Sequence, residues 1–490
     1  MTFQVTLSSV LALAPEAGLL ILLTAVIFYD RALKPTERRR LGMLTAWGTL
    51  VILLVTVGLW LFANEPGPQP ASLWGGMIRH DLVTLVFRVI FLIAVFATSL
   101  ISMDTERLQR GEYYALLLAA TIGFSLMAAS ADLIMLFVAL ETASLSLYVL
   151  AGYVTEEKRS VEAGMKYFVY GAFASAIMLY GLSLLYGLTR ETNLYVIGRI
   201  IAPFDLIPIV LLAVVMIIVG FGFKIAVVPF HFWAPDVYEG APTPVTAFVS
   251  TASKAAGFAV FVRVLLAGVM GFPDYSSEWW AMLVAMCIVT MTLGNLLAIF
   301  QTNIKRMLAY SSIAQAGYAL IGLVTLSHDG SAAILFYLLY YVVSNIAAFG
   351  VIVLFSNLTG SDELKDLSGL SRRSPYLALV LLIALLSLAG IPPTAGFFGK
   401  FFLFKAAVDA GLWWLALIGI LNAFVSLYYY LSVAKYLYLY RSPDEHVTIP
   451  VSRAAQVALA ITTFAILYLG VVAGPAFEWT RLAAGAFFAG

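Results

Sequence analysis

Two amines stand inside sequence that is otherwise fit for hydrocarbon. Lys224 lies near the end of one apolar run and Lys254 lies well inside the next. Between them runs a segment rich in Pro, aromatic and acidic residues, with His231 flanked by Pro229 and Pro235. Glu141, Lys166 and Lys400 are further ionisable groups within apolar runs. The chemistry open to such a set is proton binding and release. Burial favours a neutral amine, and a carboxylate within about 4–6 Å restores the ammonium. An imidazole relays protons near neutral pH. A charge at a helix centre costs roughly 2.5–3.5 kcal/mol in a bilayer, so five would cost on the order of 15 kcal/mol. Packing alone gives no reason to accept that cost, so Glu141, Lys166, Lys224, His231, Lys254 and Lys400 are the expected functional residues.

Other charges have blander readings. Lys435 is near the end of its run, where a long stem reaches the interface. Arg263 follows Lys254 by nine residues, roughly the opposite helix face, and is assigned to a neighbouring contact or a subunit interface. Arg88 and Lys405 stay open between structure and function. Ser250, Thr251 and Ser253 beside Lys254, and Ser311, Ser312 and Gln315, fit ordered water or helix–helix contacts equally well. The abundant Tyr and Trp read as interfacial belts.

The elements that must position these groups are membrane helices. Hydrophobic residues make up 62% of the 490, and charged ones only 11%, against about 25% in soluble domains. About fourteen apolar runs, from Leu11–Tyr29 to Ala454–Gly474, are each long enough to span a bilayer. The first run is read as a retained helix, because Asp30 and Arg31 follow it without a small-residue cleavage site. Of the 28 Lys and Arg residues, 16 fall in connections on one side and 4 on the other. That asymmetry puts both termini on the non-cytoplasmic side.

Whole classes of function are excluded by what the chain lacks. The near-neutral charge offers no basic face for nucleic acid. A single cysteine, Cys287, can neither form an internal disulfide nor hold an iron–sulfur cluster, and no Cys/His cluster has zinc spacing. Gly220-Phe221-Gly222 lacks the third glycine of a dinucleotide loop, and no Walker sequence occurs. The drive must come from an ion gradient or a partner.

An internal echo suggests a repeat. Gly220-Phe221-Gly222-Phe223-Lys224 resembles Gly396-Phe397-Phe398-Gly399-Lys400, each beside a Pro interruption, in the seventh and twelfth runs. A separation of five spans reverses orientation, so such repeats must be inverted. Broken helices at matching positions of inverted repeats mark transport sites.

The stretch from His231 to Val245, followed by Ser253-Lys254, resembles the antiporter-like membrane subunits of NADH–quinone oxidoreductase, respiratory complex I. So do Asn303 to Ser312, Gly390 to Lys400, and Asp132 through Glu141 to Tyr148. The Asp236-Val-Tyr-Glu-Gly-Ala-Pro-Thr-Pro-Val245 form favours the subunit N branch. The resemblance spans all fourteen runs. It implies an all-α polytopic protein with helices 1–3 in residues 1–110 and a five-helix repeat in 111–270. An inverted repeat in 271–441 and a last helix in 442–490 complete it, with helices 7 and 12 broken.

It also implies proton translocation driven by quinone reduction elsewhere. Glu141 is then the partner on the fifth helix, with Lys166 its neighbour on the sixth. Lys224, Lys254 and Lys400 belong to the seventh, eighth and twelfth helices, and His231 matches a relay position. The chain itself is expected to bind no cofactor or metal, with NADH, FMN, iron–sulfur clusters and quinone in partner subunits. Its surroundings are other membrane subunits and lipid, in an energy-transducing membrane, expected to be the bacterial inner membrane. The alternative is a subunit of a multisubunit cation/proton antiporter driven by gradients alone.

Overall fold

The computed structural model describes residues 6–201, 208–269, 278–443 and 445–488. The boundary expected between 270 and 271, the start of the seventh run at Ile207 and the end of the eighth at Met270 lie outside those residues. Within them all fourteen apolar runs are helical: α1 (Ala14–Ala32), α2 (Arg39–Ala63), α3 (Leu82–Ser102), α4 (Gly111–Ala129), α5 (Leu133–Ala151) and α6 (Lys158–Thr189). The seventh is split into α7a (Pro208–Ile225) and α7b (Trp233–Gly240), and α8 covers Thr243–Ala267. Then come α9 (Glu278–Ile299), α10 (Ile304–Val324) and α11 (His328–Thr359). The twelfth is split into α12a (Pro375–Ala389) and α12b (Ala395–Asp409), followed by α13 (Trp413–Tyr438) and α14 (Arg453–Val471).

Twelve continuous helices among the described residues are long and apolar enough to cross a membrane. The first run falls outside that set because α1 carries Glu16, Asp30 and Arg31, and the twelfth because it is divided. One further helix, α15 (Ala473–Phe488), follows α14 and packs on α11. The sequence reading gave 442–490 a single helix. The Gly474-Pro475 step ended the apolar pattern, yet Pro is tolerated in a first helical turn.

Caps explain where several helices begin. Asp132 accepts hydrogen bonds from the Ile134 and Met135 amides at 2.8 and 3.1 Å. Asn303 does the same for Lys305 and Arg306 at 3.0 and 3.1 Å. Such acceptors satisfy amides that lack an intrahelical partner. Each cap also joins a short antiparallel bridge, Asp132 to Asn193 and Asn303 to Glu363. Each bridge lies beyond a 32-residue helix, α6 in one half and α11 in the other. The two halves therefore share local construction.

A two-stranded hairpin, β1 (Ala71–Leu73) with β2 (Ile78–His80), fills the connection between α2 and α3. His80 is buried there with Glu65 at 3.0 Å. Burial and the nearby Arg88 charge hold its imidazole below the ordinary histidine range, against the pull of Glu65.

The core is formed by α8 and α11, whose apolar windows are wholly buried, with α10 and α3 nearly so. The helices α2, α6, α13 and α14 expose apolar faces such as Phe173, Phe424 and Phe464, as a lipid- or subunit-facing rim requires.

Close approach at α12b depends on glycine. A methyl on Gly399 would lie 2.1 Å from Tyr340 Cε1, and one on Gly396 would lie 1.7 Å from the Ser387 carbonyl oxygen. Gly399→Ala is therefore expected to destabilise the fold by about 1–3 kcal/mol, through overpacking against a buried ring. Thermal unfolding of the detergent-purified protein checks this, with the exposed Gly187, whose surroundings are open, as the control substitution.

Candidate proton path

The eight Lys and Arg residues inside the apolar runs divide by partner. Arg88 pairs with Glu16 at 2.7 Å, and also donates to Ser125 and the Ala12 carbonyl. Arg263 pairs with Asp81 at 2.8 Å and donates to Tyr195 at 2.8 Å, both acid and base being buried. Lys405 pairs with Asp409 on the exposed face of α12b, and Lys435 is exposed as snorkelling requires. The sequence left Arg88 and Lys405 open and gave Arg263 a neighbouring contact or a subunit interface without naming it, because each acid partner lies far along the chain or on an unassigned face. Arg88 and Arg263 are structural ion pairs within this chain.

Lys224, Lys254 and Lys400 are different. Each is at least 96% buried, and among the described residues none has a carboxylate within 4.0 Å. Lys224 Nζ donates to Ser144 Oγ at 2.9 Å and lies over the Phe124 ring. Lys254 Nζ donates to Ser312 Oγ at 2.6 Å and to the Ser312 carbonyl. Lys400 Nζ donates to the Ala389 carbonyl at 2.8 Å and faces the Tyr318 ring at 4.7 Å.

The helix breaks account for two of these positions. Pro229 removes a backbone donor after α7a, and Pro392 and Pro393 do so after α12a. Lys224 sits in the last turn of α7a. Lys400 comes from α12b and reaches back to the final carbonyl of α12a. Both amines thus occupy the negative end of the first half-helix, where unpaired carbonyls favour a cation. They stand on opposite sides of their breaks, so the similar five-residue segments serve one electrostatic purpose by different geometry. Lys254 follows a π-helical turn, Val249–Ser253, within α8. Such turns recur at functional sites, and nothing in the local sequence announced this one.

Glu141 lies on α5, one turn before Ser144, and is close enough to Lys224 for their charges to interact. Its Oε1 is buried without a hydrogen-bond partner among the described residues. His231 is buried in the interruption after α7a, its ring 4.4 Å from that of Phe232. Lys166 is not brought to Glu141 by any contact within hydrogen-bond range. It is half-exposed and pairs with Glu162 at 2.7 Å and Asp236 at 2.6 Å.

Around Lys254 and Lys400 stand three clusters of polar contacts that the sequence reading largely missed. Ser312 Oγ accepts from Tyr341 at 2.7 Å and lies 3.3 Å from the Tyr238 hydroxyl. On the same helix Ser311 bonds Tyr430, while Gln315 bonds Tyr430 at 3.2 Å and accepts from Tyr337. Asn295 links the Tyr429 hydroxyl at 3.0 Å to the Tyr318 hydroxyl at 3.1 Å, and Tyr318 faces Lys400. Many tyrosines are therefore core residues rather than interfacial belt, including Tyr238, Tyr318, Tyr337, Tyr340, Tyr341 and Tyr430. The available signal was their clustering at Tyr337, Tyr340 and Tyr341 within a run too long to place them all at its ends. Hydroxyls and amines in such clusters can hold and exchange protons locally, with Ser312 a shared acceptor for Lys254 and Tyr341.

Residues 130–426 match the family model described as NADH:quinone oxidoreductase/Mrp antiporter, TM. The chain is 47% identical over 444 residues to NADH-quinone oxidoreductase subunit N of Moorella thermoacetica, covering 89% of this chain and 92% of that one. It is 42% identical over 476 residues to the subunit N of Desulforamulus reducens, covering 96% and 97%. A chain of respiratory complex I from Thermus thermophilus with bound aureothin aligns with TM-score 0.79 and 34% identity, over 96% of this chain and 99% of that one. A chain of the Mrp complex from a Dietzia species aligns with TM-score 0.85 at 22% identity, over 99% and 98%, a likeness of fold.

Proposed function

This chain belongs to the NADH–quinone oxidoreductase subunit N family, and on that premise we propose that it translocates protons for such a complex, driven by quinone reduction elsewhere in it. It is an integral membrane protein of an energy-transducing membrane. One observation carries the mechanism: among the described residues three buried amines have no carboxylate within 4.0 Å, while Arg88 and Arg263 are in direct ion pairs. Lys254 and Lys400, held only by a hydroxyl and by carbonyls, can lose a proton without stranding a buried anion, whereas the charge on Lys224 is tied to the nearby Glu141.

In this reading the separation of Glu141 from Lys224 sets the charge on Lys224. His231, in the interruption beside it, relays to or from the surface. Lys254 passes the proton through Ser312 and the tyrosine clusters, and Lys400 releases or accepts it. Lys166 receives no carrying step, because it is half-exposed and already doubly paired.

The segments 111–270 and 271–441 act as inverted five-helix repeats, and 1–110 and 442–490 flank them. Support comes from the matched caps, bridges and 32-residue helices. Glu141 and Ser312 each lie nine residues beyond their cap. The lysine of α8 therefore meets a hydroxyl where the first half presents a carboxylate. Fourteen spans with both termini outside the cytoplasm, in a bacterial inner membrane, complete the layout. The subunit itself performs no redox chemistry, and NADH, FMN, iron–sulfur clusters and quinone belong to its partners.

The test has two arms. Affinity-purified from native membranes, the chain should bring flavin- and iron–sulfur-bearing subunits with it, and their absence would favour the gradient-driven antiporter. In the reconstituted complex, Glu141→Ala should lower proton-coupled quinone reduction by about tenfold or more. Unchanged coupled turnover in that variant would remove Glu141 from the mechanism.

A further inference from the structure

The two-turn helix α7b is held on three sides. Against α6, Trp233 stacks on Tyr167 at 4.4 Å with an 8° interplanar angle, and Asp236 accepts from Lys166 at 2.6 Å. A methyl on Gly240 would lie 2.5 Å from the Arg159 carbonyl oxygen, so backbones touch there too. Against α7a, Trp233 Nε1 donates to the Phe223 carbonyl at 3.0 Å, one residue before Lys224. Against α10, Arg306 donates to Asp236 at 2.8 Å and to Glu239 at 3.0 Å. Ser312, also on α10, bonds Lys254 and lies within reach of the Tyr238 hydroxyl.

Asp236 is the one acid in this cluster that touches cations from two other helices, and Tyr238 follows it by two residues. From this geometry we propose that Asp236 is a positioning residue for proton transfer. By bridging Lys166 and Arg306 it fixes α7b at the register where the Tyr238 hydroxyl and the Lys254 amine share Ser312. Lys166 contributes through this clamp and carries no proton. Coupling between sites needs a physical element that both bias, and α7b is that element here. It joins the carbonyl beside Lys224 to the hydroxyl that holds Lys254. The proposal rests on the reading of Lys254 as a proton-carrying residue.

A double-mutant cycle in the reconstituted complex tests it, with proton-coupled quinone reduction as the readout. Asp236→Asn is expected to lower the rate by about three- to tenfold in the native background. It should lower it by less than about twofold when Tyr238→Phe is already present, because coupled residues are non-additive. Lys166→Gln should reproduce the Asp236→Asn loss and add little to it. Multiplicative losses in Asp236→Asn and Tyr238→Phe, or a normal rate in Asp236→Asn, would overturn the clamp. If Asp236→Asn fails to assemble, the cycle of Lys166→Gln with Tyr238→Phe decides, since Lys166 is half-exposed and Asp236 keeps Arg306 as a partner when it is lost. Lys254→Ala run in parallel separates the two readings: a near-normal rate there sinks the charge row itself, whatever the clamp variants do.

Discussion

Lys254→Ala is expected to bring coupled turnover down on the order of a hundredfold, in a complex that still assembles. A positioned proton-transfer group contributes about 10²–10⁴ in rate, and Lys254 holds the central position. The residue is 98% buried and its amine is bonded to Ser312, which also accepts from Tyr341. Removing the side chain leaves those hydroxyls paired with each other, so no buried charge is stranded and folding should persist. Alanine also leaves the preceding π-helical turn, Val249–Ser253, without the side chain that follows it. Methionine at the same position keeps the volume and separates packing from chemistry. Lys254→Met should therefore be as slow as Lys254→Ala while unfolding at a higher temperature. The measurement is quinone reduction by sealed vesicles, with and without an uncoupler. Protons pumped per electron and turnover both near normal would overturn the role of Lys254.

The second large effect concerns stability. Arg263→Met is expected to destabilise the protein by about 3–5 kcal/mol, because it leaves Asp81 as a buried, unpaired acid. Asp81 accepts from Arg263 at 2.8 and 3.1 Å and from the Thr84 amide at 2.8 Å, and its side chain is fully enclosed. It also caps α3, so its charge anchors that helix as well as Arg263. Replacing both partners by apolar residues is often neutral, but here the cap would be lost too. Arg263→Met with Asp81→Asn keeps a capping oxygen and should recover most of the loss. Thermal unfolding of the purified protein distinguishes these variants. An Arg263→Met protein as stable as the native one would show that the pair does not anchor α3 to α8.

The two expectations separate the chain's buried charges into groups that carry function and groups that hold helices together. The side-chain partner, rather than depth alone, makes the difference. A paired ion repels its own deprotonation, because losing the proton would leave the other charge buried alone. Lys254 on a hydroxyl and Lys400 on a helix-end carbonyl face no such penalty.

How much of this was legible varies by residue. Lys224, Lys254 and Lys400 stood out because each interrupts an apolar run, and hydropathy reads membrane-compatible sequence directly. Pro229 and the Pro392-Pro393 pair marked two helix breaks for a local reason, the missing backbone donor. Glu141 stood out in the same way as those lysines and His231 by its place between the two lysine-bearing runs, and the resemblance added an expected role for each. By contrast, Arg88 stayed open between structure and function, and Arg263 was set apart from the lysines by its helix face without its partner being known. Their partners, Glu16 and Asp81, lie 72 and 182 residues away. The pairing of Lys166 with Asp236 across 70 residues was invisible for the same reason.

The sequence by itself determined the solvent of this fold, the helical runs, the breaks and the list of ionisable groups. Each follows from local composition or from the chemistry of one residue type. Only the tertiary structure decided which charges are neutralised, and it brought Ser312 under Lys254 and the Tyr318 ring against Lys400. Those outcomes depend on which faces of distant helices meet. Helices that are apolar on nearly every side carry almost no amphipathic pattern to fix their rotation. Their orientation is set by close packing and by the polar contacts themselves, and neither exists until the helices assemble.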